Sequence, residues 1–235
     1  MKKTVCIVLA VLLTAAGLSV AGKSSRRMLE AMSSSPEYAI HRTVILDAGH
    51  GGEDGGAVAP DGTAEKEINL IISNGVASFF ELFGIPYVPV RTVDTSVCDP
   101  GLTSVRERKR SDILNRYALV NDTPDAILLS IHQNMFSESR YSGTQVFYAG
   151  HDESSKALAT AIKNAVVPAL QPENKREVKP STNSIYLLYK AKTTSVMVEC
   201  GFLSNENELR LLKSESYEAQ MSYYIFKGLL SYVTP

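Results

Sequence analysis

An α/β fold with a mostly parallel sheet is the expectation for this chain, and three observations carry it. Segments of strand and helix character alternate through most of residues 42–235, the pattern that builds a parallel sheet through helical crossovers. Residues 43–46 (TVIL) and 126–131 (AILLSI) are nearly continuous apolar runs of strand length, as buried strands are. Residues 65–83 carry Ile68, Ile71, Ile72, Val76, Phe79 and Phe83 at three- and four-residue steps, which gives a helix one apolar face to lay on that sheet. At 235 residues and 44% hydrophobic composition, one ordinary domain is expected.

The N-terminus comes first. Lys2 and Lys3 precede an uncharged apolar run over residues 4–21, the form of a secretory leader or a signal-anchor. Ser19-Val20-Ala21 supplies small residues for cleavage, and the run is also just long enough to span a bilayer. Residues 1–22 are therefore read as a signal peptide or signal-anchor, 23–41 as a polar linker, and 42–235 as the globular domain. Cleaved or retained as a membrane anchor, this leader puts the domain outside the cytoplasm. A formal net charge of −1 gives no argument for nucleic acid or an anionic membrane surface. Cys6, Cys98 and Cys200 form no CxxC pair, which argues against a cysteine-rich zinc module and a disulfide framework.

Within the domain, strand 43–46 runs into a glycine-rich loop that carries Asp47, His50, Glu53 and Asp54. The loop lacks the glycine spacing of phosphate-binding motifs, and its carboxylates would repel a phosphate, so metal binding is the better reading. Helix 65–83 stops at Gly84. Strand 87–91 contains Pro89 and is expected at a sheet edge. A basic helix over 104–120 should turn Ile113, Leu114, Tyr117 and Ala118 to the core and its Arg and Lys to solvent. Strand 126–131 ends at His132. Strand 144–148 follows, then a helix over 153–167 capped by Asp152, with Leu158, Ala161, Ile162 and Ala165 inward and Pro168 ending or kinking it. Residues 171–184 read as a polar loop, 185–188 as a short strand, and 195–199 as the last strand. Asn205 caps a short helix, and 216–232 form the final one.

Three residues with chemical potential fall at equivalent places. His50 follows one buried strand, His132 follows a second, and Glu199 closes a third. Ligands of open parallel sheets bind beyond the carboxyl ends of the strands, so these residues should share one edge. Glu65, at the start of the helix leaving the glycine loop, joins them. Two imidazoles and a carboxylate with one open position are a usual ligand set for catalytic zinc, and an unligated carboxylate nearby could move protons. On spacing alone, Glu67 or Glu53 could replace Glu65. His41 and His151 read as exposed or structural.

The motifs Asp-Ala-Gly-His50-Gly-Gly, Glu65-Lys66, Ser130-Ile-His132-Gln-Asn134 and Val198-Glu199-Cys-Gly-Phe-Leu-Ser-Asn205 occur in this order. Together they resemble the zinc-dependent N-acetylmuramoyl-L-alanine amidases of the Amidase_3 family over about residues 42–233. The resemblance implies a twisted sheet with helices on both faces, one zinc bound by His50, Glu65 and His132, and Glu199 as the catalytic glutamate. It implies peptidoglycan as substrate, cut at the amide between the lactyl group of N-acetylmuramic acid and L-alanine. Asn134 would hydrogen-bond the substrate or cap its loop. Ala48, Gln133 and Cys200 depart from residues frequent in the family; none is an implied ligand. A leader joined to a catalytic domain, without wall-binding repeats, resembles the spore-cortex type, which starts muramic-δ-lactam formation; it leaves room for a targeting protein partner. The rivals are a zinc carboxypeptidase or endopeptidase, which would shorten the stem peptide, and a non-catalytic wall-binding module.

Overall fold

Side chains of alternating direction along β1 (Val44–Ala48) set the layers of this domain. Val44 and Leu46 enter one apolar cluster and Ile45 enters another on the opposite face of the sheet. The computed structural model describes residues 42–234; the expected leader and linker, and His41, lie outside the described residues. The other strands are β2 (Tyr87–Pro89), β3 (Ile127–Asn134), β4 (Gln145–Tyr148), β5 (Lys179–Pro180) and β6 (Thr194–Phe202). They form one six-stranded sheet in the order β2-β1-β3-β6-β4-β5. β2, β1, β3 and β6 run parallel, and β4 with β5 joins antiparallel to β6. β2, with Pro89, lies at the sheet edge as expected.

One face is covered by α1 (Glu65–Phe83), α3 (Glu153–Leu170) and α6 (Glu215–Val233), packed on Leu46, Leu129, Val196 and Val198. The other carries α2 (Val105–Asp122) and α4 (Tyr186–Lys190) over Ile45, Leu128 and Met197. α5 (Glu206–Leu212) follows β6, with the Asn205 side chain accepting from the Asn207 and Glu208 amides. α1 spans the expected residues and ends at Gly84, whose φ of 65° admits the left-handed turn that closes it. No helix of the described residues is long and apolar enough to cross a membrane. Cys98 and Cys200 are free thiols.

Four readings are corrected. Residues 185–188 are not a strand: α4 is helical, because two adjacent buried leucines, Leu187 and Leu188, fit one helical turn as well as a strand. β3 and β6 run on past His132 and Glu199 to Asn134 and Phe202, which pair across the two strands beyond an irregularity, with Cys200 and Phe202 buried. In α2, Leu114 and Ala118 are exposed, and Val120 and Arg116 are buried instead. In α1, Phe80 takes the core position and leaves Ile71 and Phe83 exposed.

Candidate active site

The site is built where β1 leaves the sheet. The Gly49 amide still donates to Ile131 at 3.0 Å, and then the chain turns sharply at His50, a non-glycine residue with φ of 62°. Two buried arginines hold that turn. Arg91 donates to the Ala48 and Gly49 carbonyls at 2.9 and 3.0 Å. Arg116 donates to the Ala48 and His50 carbonyls at 3.1 and 2.7 Å, and pairs with the buried carboxylate of Asp47. Burial alone would raise the Asp47 pKa; the charge of Arg116 outweighs it, with help from His132 and the Ser130 hydroxyl, and holds the carboxyl below its ordinary value. The arginine expected on a solvated face therefore lies inside, beneath the loop.

His50 Nδ1 lies 2.8 Å from Asp54 Oδ2, which turns Nε2 toward Glu65 Oε2 at 3.3 Å. Glu65, the first residue of α1, is buried. Its Oε1 lies 2.8 Å from His132 Nδ1 and accepts from the Gln133 amide at 3.1 Å, and its Oε2 accepts from the Ala57 amide at 2.9 Å. Glycines make room for this. A Cβ on Gly49 would sit 2.2 Å from the His132 ring, and one on Gly56 would sit 2.5 Å from Glu65 Oε2. One ligand-type atom from each of His50, Glu65 and His132 lies within 4.8 Å of the others. Glu53 is exposed and pairs with Arg108, and Glu67 is exposed. Of the three carboxylates allowed by spacing, Glu65 is thus the one between the imidazoles.

Burial would lower the pKa of His50, but Asp54 and Glu65 push it up to about 9. Burial would raise Glu65, but its bonds to His132 and His50 pull it well below the carboxylate range. Both shifts describe a tightly coupled cluster of one carboxylate between two rings.

Glu199 stands opposite His132 in the β3–β6 register. Its Oε2 is enclosed with no hydrogen-bond partner. Burial, with a contribution from Glu65 and against the pull of His132 and His50, pushes its carboxyl up to about 7. A cleft of about 320 Å³ opens beside His50 and His132, with Lys109, Ile113, Tyr186 and Met197 among its walls. A larger hollow of about 770 Å³ near Pro60, Leu203 and Lys213 contains none of these groups.

The Asn134 carbonyl accepts from the Leu203 amide at 2.8 Å, which ties β3 to the loop after β6. His151 is exposed, with Nε2 2.8 Å from the Ala191 carbonyl, and it takes no part in the cluster. Sequence reasoning missed roles for Asp54, Arg91, Arg116 and Asn69. Only Asp54, four residues from His50 in the same loop, carried a local signal.

Residues 44–231 match the family model Amidase_3, described as N-acetylmuramoyl-L-alanine amidase. The germination-specific N-acetylmuramoyl-L-alanine amidase of Bacillus subtilis is 31% identical over 193 residues, 82% of this chain and 80% of that protein. Among solved structures, the CwlD amidase from Clostridioides difficile, in complex with the GerS lipoprotein, aligns with a TM-score of 0.79 and 36% identity. That alignment covers 82% of this chain and 98% of that one. The amidase AmiC2 of Nostoc punctiforme aligns with a TM-score of 0.68 and 26% identity, over 83% of this chain and 98% of its own.

Proposed function

This chain belongs to the Amidase_3 family of N-acetylmuramoyl-L-alanine amidases, and from that premise we propose a zinc-dependent reaction centred on His50, Glu65, His132 and Glu199. It is an N-acetylmuramoyl-L-alanine amidase acting on peptidoglycan. The observation that carries the proposal is the meeting of two imidazoles and one carboxylate beside a second carboxylate with a free oxygen.

The donor set fits zinc. Two histidines and a glutamate are a usual catalytic trio, and the Asp54 contact to His50 is the carboxylate–histidine support that fixes a ligand's tautomer. When bound, zinc supplies a Lewis acid for the amide carbonyl and lowers the pKa of a water. The remaining work falls to Glu199. Its carboxylate takes the proton of the attacking water, then delivers it to the alanine nitrogen as the C–N bond breaks. Its Oε2, enclosed with no hydrogen-bond partner, is free for both transfers. Asn134, two residues beyond His132 at the end of β3, is read as a substrate-binding or loop-capping residue.

Similarity to the germination-specific amidase of Bacillus subtilis and to CwlD supports a role in spore cortex, where removal of the stem peptide begins muramic-δ-lactam formation. The CwlD structure contains a lipoprotein, which supports a protein partner for this chain as well. Residues 1–22 export the domain or anchor it, and residues 23–41 link it to that segment, so that it works on the outer side of the membrane.

Mass spectrometry of digested muropeptides tests the reading. The expected products are stem peptides with a free N-terminal L-alanine and glycans with unsubstituted lactyl groups, formed only with zinc present. Shortened stems still attached to muramic acid would mean a peptidase instead.

A further inference from the structure

Behind the three site residues lies a pair of amides that the mechanism does not use. Asn69 and Gln133 are both buried, at 0% and 3% exposure. The Asn69 side-chain nitrogen donates to Glu65 Oε1 at 3.2 Å and to the Gly49 carbonyl at 3.1 Å. Its oxygen accepts from Gln133 Nε2 at 3.2 Å. Gln133 directly follows His132, and its own amide donates to Glu65 Oε1 at 3.1 Å. Gly49 directly precedes His50. The two side chains therefore tie together the segments that carry His50, Glu65 and His132.

The orientation of each amide follows from the chemistry. Two acceptors, a carboxylate and a carbonyl, oblige Asn69 to face them with its NH2 group. Its oxygen is then turned to a buried place where Gln133 Nε2 is the donor it meets. Removal of that donor leaves a buried acceptor unpaired and favours rotation of the Asn69 amide away from Glu65. Gln133 Oε1, enclosed without a partner, makes no competing hydrogen bond.

We propose that Asn69 and Gln133 are positioning residues, a two-amide link that holds Glu65 between the histidines and sets the affinity of the site for zinc. This rests on the zinc reading above. Supports of this kind are worth about 10–100-fold in metal affinity. The test is the zinc affinity of the full chain by competition with a chromophoric chelator. Gln133→Met keeps the bulk and loses the donor; Gln133→Ala replaces it if the methionine variant does not fold. Ile225→Val, a methyl removed from the core of α6, controls for general destabilisation.

The expected result is zinc binding weakened about 10–100-fold by Gln133→Met and by Asn69→Leu, with Ile225→Val binding like the wild type. The link is overturned if Gln133→Met binds within twofold of the wild type, or if Ile225→Val weakens binding as much. A wild type that takes no zinc, or a His132→Ala variant that stays loaded, overturns the zinc reading itself, and is told apart because it does not depend on Gln133.

Discussion

Arg116→Met is the substitution from which most can be learned about how this loop is held. Arg116 and Asp47 are 3% and 1% exposed, and Arg116 also bonds Asp112 at 2.6 Å and two carbonyls of the loop. Methionine fills much of the volume but leaves Asp47 charged and buried, with the Ser130 hydroxyl bonded to it and only the weaker pull of His132. Breaking a buried pair in this way costs about 3–5 kcal/mol. For a domain of this size, ~4 kcal/mol lowers the melting temperature by about 8–16 °C. The pH dependence identifies the cause. In the wild type the folded-state pKa of Asp47 is lowered, so its stabilisation is present above the unfolded value of about 3.9 and is lost as pH falls through the folded one. In the variant the Arg116 charge that outweighs burial is gone, the folded-state pKa rises, and the penalty exists only while the group is ionised. The deficit relative to wild type should therefore shrink between pH 7 and about pH 4. Asp47→Asn placed on top of Arg116→Met should restore part of the loss, because it removes the stranded charge. Urea unfolding of the three proteins across this pH range is the assay. A single-variant loss below about 1 kcal/mol, or a deficit that grows on acidification, would refute the account of Asp47 as a buried charge held by Arg116.

Three further outcomes follow from the site and one from the N-terminal segment. Glu199→Gln should fold and keep its zinc while amidase turnover, read as released stem peptide, drops by at least about 10²-fold. Glu65→Gln and His132→Ala should instead lose metal, measured by elemental analysis; if Glu65→Gln stayed loaded while Glu199→Gln emptied, the two roles would be exchanged. Gly49→Ala would place a Cβ 2.2 Å from the His132 ring, so the ring must move; activity should fall by roughly 10²-fold, since misplacement of about 1 Å has that effect, and an alanine variant with normal kcat/KM would contradict the packing described. N-terminal sequencing of the native protein should show export, either with cleavage after Ala21 or with residues 1–22 retained at the membrane, and an intact unanchored cytosolic chain would exclude both.

The parts of the structure legible in the sequence are those that depend on neighbours along the chain. The apolar face and terminal glycine of α1, the proline on edge strand β2, and the Asn205 cap each involve residues a few positions apart. His50, His132 and Glu199 were legible for a related reason: parallel strands bring their carboxyl ends to one edge, so position within a strand predicts position in space. Spacing alone left Glu53 and Glu67 beside Glu65; the Glu65-Lys66 motif singled out Glu65, and the structure buries it between the two imidazoles while the other two are exposed. α4 failed because its two leucines carry no period to distinguish helix from strand.

Arg116 shows the deeper limit. A helix rich in Arg and Lys is read as a solvated face, since arginine is almost never fully buried unless paired. Its partner Asp47 is 69 residues away, and nothing local announces the pairing. The pairing matters because His50, two residues after β1, must turn into a left-handed conformation that is uncommon for any residue but glycine. Such strain persists only when surrounding contacts over-determine it. Arg91 and Arg116 provide those contacts by bonding the carbonyls of Ala48, Gly49 and His50. Asp47 in turn makes the burial of Arg116 affordable. The residues whose roles the sequence concealed are therefore the ones that hold the most visible residue, His50, at the angle from which its ring meets Glu65 and His132.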